Sequence, residues 1–148
     1  MAGIRAVAQT AEVATGTAKK TILQLVAASN HRVLVKEFSV SFDGVDNTAE
    51  PILVQLLIQS DAGTMSSLTP QKLNQGDDET LQTTAQHTAT AEPTGTTEIM
   101  GEQVHPQGGY TWQAPYGGEI VINGGDRLGL VTTAAVDVNA KARFVFEE

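Results

Sequence analysis

Three histidines, His31, His87 and His105, are the only imidazoles in the chain. Imidazole is a versatile metal ligand and the usual general base near neutral pH. A cupin-type metal site would want two of them at H-x-H spacing beside a carboxylate, and that spacing is absent. The three would have to converge from separate segments, so surface histidines are the expectation. Asp43, Asp46, Asn47 and Glu50 in DGVDNTAE, and the run Gly76–Glu79, offer oxygen at loop spacing. Calcium takes about six to eight oxygens. The EF-hand pattern is not met, so solvated loops are expected. No G-x-S-x-G, H-E-x-x-H or phosphate-binding glycine loop occurs. Ser29, Ser39, Ser41, Ser60, Ser66 and Ser67 have no adjacent base in sequence. The absence of cysteine removes disulfides, thiolate zinc, iron–sulfur clusters and a thiol nucleophile. No catalytic residue, metal or cofactor is expected.

The remaining candidates point to surfaces. Tyr110, Trp112 and Tyr116 cluster in GYTWQAPY. Exposed, they would stack on sugar rings. Alternation instead puts Tyr110 and Trp112 on one face, which suits a core or subunit interface, where aromatics are enriched. The formal charge is -8, so sequence-independent nucleic-acid binding is disfavoured. Charge is uneven: residues 1–36 hold Arg5, Lys19, Lys20, Arg32 and Lys36 against Glu12 alone, and the rest is acidic. A basic N-terminal arm with Ile4 and Val7 as apolar anchors, and Arg5, Lys19 and Lys20 as docking charges, would suit an acidic neighbour.

At 148 residues the chain is expected to form one domain with a full core. No run of about 18 apolar residues marks a membrane span, and the N-terminus lacks a signal-peptide core. Residues 1–20 are expected to be an extended arm, with strand character only over Ile4–Val7, and residues 21–148 the folded domain. Strands are expected at Thr21–Ala27, Arg32–Phe42, Pro51–Gln59, Thr83–Ala91, Glu98–Val104, Gly109–Ala114, Glu119–Ile122, Arg127–Thr132 and Val136–Glu147. In Arg32–Phe42, strict alternation predicts Leu34, Lys36, Phe38, Val40 and Phe42 on one face. In the last strand it turns Val136, Val138, Ala140, Ala142, Phe144 and Phe146 inward. Ser60–Gln82 reads as a long connection with room for one helical turn. Many short strands with regular turn signals define an all-β antiparallel sandwich. The long central connection favours a jelly roll over an immunoglobulin-type sandwich.

The segments TAEPILVQLLIQSDAGTMSSLTPQKLN and HPQGGYTWQAPYGGEIVINGGDRLGLVTTAAVDVNAKARFVFEE resemble small structural proteins of tailed phages. The strand–GGDRLGL–strand ending is similar to the closing strands of trimeric jelly rolls, including phage head decoration proteins. The resemblance implies a non-enzymatic virion protein made in the host cytoplasm. It would form a homotrimer and stabilise the head by bridging subunits of the major capsid protein, with no part for nucleic acid or membrane. The alternative is a carbohydrate- or receptor-binding sandwich of a fibre or tail tip.

Overall fold

The computed structural model describes residues 3–148. These form thirteen strands: β1 (Arg5–Gln9), β2 (Val13–Ala14), β3 (Lys20–Val26), β4 (Val33–Phe42), β5 (Ile52–Gln59), β6 (Thr64–Leu68), β7 (Gln71–Lys72), β8 (Thr84–Ala91), β9 (Gly95–Val104), β10 (Gly109–Gln113), β11 (Ile120–Ile122), β12 (Arg127–Thr133) and β13 (Asn139–Glu147). One sheet runs β10-β4-β13-β1-β7, with β11 beside β4 and β2 beside β13. The other runs β6-β8-β3-β12-β5-β9. All pairings are antiparallel.

Without the short β2, β11 and the β6–β8 insertion, eight strands remain. They pair as β1-β13-β4-β10 facing β3-β12-β5-β9. Successive strands swap sheets except between β5 and β9, which is the two-Greek-key order of a jelly roll. The inner faces meet on Phe38, Phe144, Phe146, Leu23, Leu25, Ile52, Leu56, Leu128 and Leu130, all buried. Each such side chain contributes roughly 1.5–3 kcal/mol on leaving water.

Three expectations change. First, pairing in the N-terminal segment reaches beyond Ile4–Val7, to Arg5–Gln9 and Val13–Ala14. Arg5–Gln9 lies against β13 in register Arg5↔Glu147 to Gln9↔Arg143, and against β7 on its other side. Ala6 and Ala8 are fully buried, and Ile4 exchanges backbone bonds with Glu148 at 3.0 and 2.9 Å. Small residues at alternate positions let this strand sit inside the sheet. Second, β4 does not alternate strictly. Val145 faces Glu37 and Phe146 faces Val35, so Lys36 is an extra residue in a β-bulge. Val33 and Val35 point inward before it, and Phe38, Val40 and Phe42 after it. Third, Val136 is 64% exposed in the loop before β13 rather than facing in.

The Ser60–Gln82 connection contains β6 and β7. It passes from the edge of one sheet to the edge of the other and ties down at Leu73, whose N–H bonds the Arg5 carbonyl at 2.9 Å.

Candidate functional site

β9 and β10 are the edge strands of one flank. Tyr110 lies opposite Val40 and Trp112 opposite Phe38, so both rings point to the inner side of the sandwich at its edge. Phe38 is buried beneath them, with ring centroids 5.8 Å from Tyr110 and 5.9 Å from Trp112. The Trp112 ring is close to stacked on Phe38, at 27° between planes. Both outer rings remain half-buried. On β9, Met100 is half-buried and Ile99 is 40% exposed. Tyr116 separates from the pair: it sits on the Pro115–Gly118 turn, made possible by Gly117 at φ +79°, and is fully exposed.

The free edge of β9 is blunted. Its pairing with β5 shifts register twice, leaving Ile99 and Thr96 as bulged residues. Glu98 and Glu102 add charge along the same strand. Bulges and charges discourage a foreign strand from extending the sheet. A partner on this flank would therefore meet side chains, led by Trp112 and Tyr110, rather than the backbone ladder.

The other predicted contact residues scatter. Ile4 is buried within its own sandwich and offers no anchor to a partner. Arg5 is exposed and Val7 half-buried on the outer face of the first sheet. Lys19 is exposed in the β2–β3 loop, while the Lys20 ammonium donates to the Ala14 carbonyl at 2.8 Å. The basic residues of the N-terminal third thus belong to the folded body. Lys36 pairs with Glu119 and Glu147 at 3.3 and 3.5 Å, and Arg143 with Glu37 at 2.8 Å.

The histidines stay apart. His31 lies in the β3–β4 turn. His87 on β8 shares a hydrogen bond with the Thr88 hydroxyl, and His105 contacts the Asn47 carbonyl at 3.3 Å. Among the described residues, no three His, Asp or Glu gather into a metal-holding group. The acidic loops use their oxygens on themselves. Asp43 accepts from the Asn139 side chain and backbone, which hold its carboxyl below the ordinary value. Asp46 accepts from the Thr48 N–H and hydroxyl, with the same effect. Asp77 accepts from the Glu79 N–H at 2.9 Å.

One cluster escapes sequence reading altogether. On the outer face of the second sheet, Thr21, Gln24 and Gln59 are buried although polar. The Gln24 amide donates to Gln59 at 2.7 Å and to the Asp61 carbonyl at 3.1 Å. The Gln59 amide donates to the Thr21 hydroxyl at 2.9 Å, and that hydroxyl donates to Glu92. Arg127 donates to the Gln24 carbonyl oxygen at 3.0 Å. Each polar group finds a partner, which is what makes the burial tolerable. The available signal was Gly129: a side chain there would collide with the Gln59 amide.

No protein-family model matches the chain, and neither a curated protein nor a solved structure matches it significantly.

Proposed function

We propose that this protein is a non-enzymatic structural jelly roll that works as a homotrimer, assembled through the β9–β10 flank. Its setting in this reading is the phage head, where it decorates the shell and bridges major capsid subunits. The observation that carries the reading is the half-covered pair Tyr110–Trp112 on Phe38, on the edge strand β10. Large aromatics left half-wet in one copy are the usual core of a protein interface. The phage setting rests on the sequence resemblance and on the shared jelly-roll architecture. A cement protein of this kind stabilises a lattice by binding the assembled shell and not its dissociated parts.

Light scattering after size exclusion, at two concentrations, tests the reading. Three times 15.6 kDa is the expected mass, with Trp112 fluorescence blue-shifted and protected from quenching. Co-sedimentation with intact heads of the encoding phage then tests the setting. A monomer at both concentrations with a quenchable Trp112 would overturn the trimer. It would favour the sugar-binding alternative, for which fully exposed Tyr116 is the specific support.

A further inference from the structure

At one end of the sandwich the β4–β5 and β12–β13 loops enclose a cleft of about 350 Å³, within the range of small binding pockets. Ile52 and Val138 form its aliphatic floor. Val45 and Val136, 90% and 64% exposed, stand among its walls. Four carboxylates, Asp43, Asp46, Glu50 and Asp137, surround it, and no lining residue is basic. Elsewhere, acids such as Glu37, Glu119 and Glu147 have cationic partners. Here four acids gather with no Lys or Arg ion-pair partner among the described residues, and His105, near Asp46, is the one base at hand.

The cleft is also fixed in shape. Asp43 takes the Asn139 N–H at 2.8 Å and its side-chain amide at 2.9 Å. The Gly44 N–H bonds the Pro106 carbonyl at 2.9 Å, and Asp137 accepts the Gly16 N–H at 2.8 Å. These bonds organise the loops before any partner arrives, which lowers the ordering cost of binding. Glu50 has no hydrogen-bond or ion-pair partner among the described residues and is available to one. An anion would be repelled. A neutral sugar would bring no positive charge to the four carboxylates. Metal coordination would need Asp43, Asp46 and Asp137 to give up the loop contacts they make.

We propose that this cleft docks a basic segment of a partner protein, with a Lys or Arg head among the carboxylates and a neighbouring aliphatic side chain against Val45 and Val136. Equating that partner with the capsid lattice rests on the structural reading above; the cleft chemistry does not. The test is an amide NMR titration of the full chain with the peptide acetyl-Val-Lys-Val-Arg-Val-amide, alongside a copy carrying Glu for Lys and Arg. The basic peptide should give saturable shifts confined to residues 43–50 and 134–139, and the acidic copy none. Glu50→Lys and Val136→Ser should each weaken binding at least fivefold with the rest of the spectrum unchanged. Non-saturating shifts spread to Glu98 and Glu102, or unchanged affinity in both variants, would overturn the site. Calcium chloride shifting the same residues at lower concentration would reassign it to a cation. A trimer that ignores the peptide overturns the cleft alone; a monomer that binds it overturns only the trimer.

Discussion

On one flank of the sandwich, β1 lies between β13 and β7, while β8 and β6 extend the facing sheet. On the other, β9 and β10 end their sheets, and β10 turns Tyr110 and Trp112 toward the inner side of the sandwich. Both β1 and β10 alternate inward and outward, but with opposite side-chain sizes. Ala6 and Ala8 suffice where the chain closes over itself, because the β6–β7 insertion supplies the cover. Where no further chain arrives, the inward positions carry the largest rings and remain half-wet. One flank is solved within the chain. The other keeps its aromatic pair half-exposed, the feature on which the proposed trimer rests.

Deleting residues 1–20 should have the largest effect. It removes β1, β2 and the first residue of β3, and uncovers the β13 edge beside buried Phe144 and Phe146. The expected outcome is loss of cooperative thermal unfolding by circular dichroism. A truncated chain melting near the full-length temperature would mean that the closed flank is dispensable. Next, Phe144→Ala should cost about 3–5 kcal/mol in urea unfolding, as for other large core truncations. Gln59→Ala should cost about 1–3 kcal/mol, because the buried Gln24 amide and Thr21 hydroxyl each lose one of their two partners. Trp112→Ala, in dilute solution, should cost only about 1–2 kcal/mol, since its ring is half in water already. For the proposed trimer, the expected consequence is loss of assembly in light scattering. Equal costs for Phe144→Ala and Trp112→Ala would erase the distinction between the flanks.

Much of this architecture was legible in the residues. Alternation in NAKARFVFE placed Ala140, Ala142, Phe144 and Phe146 in the core, and they are there. The face shared by Tyr110 and Trp112 was readable from their spacing. The arm misled because its signal is composition: Ala and Thr look featureless until β13 supplies a partner from the far end of the chain. The β4 bulge hid because Lys36 and Glu37 fit either phase, and only the Val145–Phe146 register decides. The buried amide network hid for a related reason. Gln24 and Gln59 look like solvent-facing positions, and their burial depends on Gly129 leaving room for Gln59 to lie flat.

The smallest predicted effect separates the flanks by acid. Glu119 leads into β11 and accepts from Lys36 on β4 at 3.3 Å. Its own backbone N–H and then Lys36 hold its carboxyl below the ordinary 4.5. With the folded value depressed, the folded chain binds fewer protons than the unfolded one as pH drops below 4.5. The contribution is therefore complete above that value and lost as pH falls through the lowered one. At the closed flank, Ile4 and Glu148 are joined by backbone bonds that do not titrate. Acidification should then raise amide exchange at Ile120–Ile122 before Arg5–Gln9, after correction for intrinsic exchange. Lys36→Met should remove most of that difference. If both strands lose protection together, the β11 tether is not what holds the open flank, and the aromatic stack on Phe38 must hold it alone.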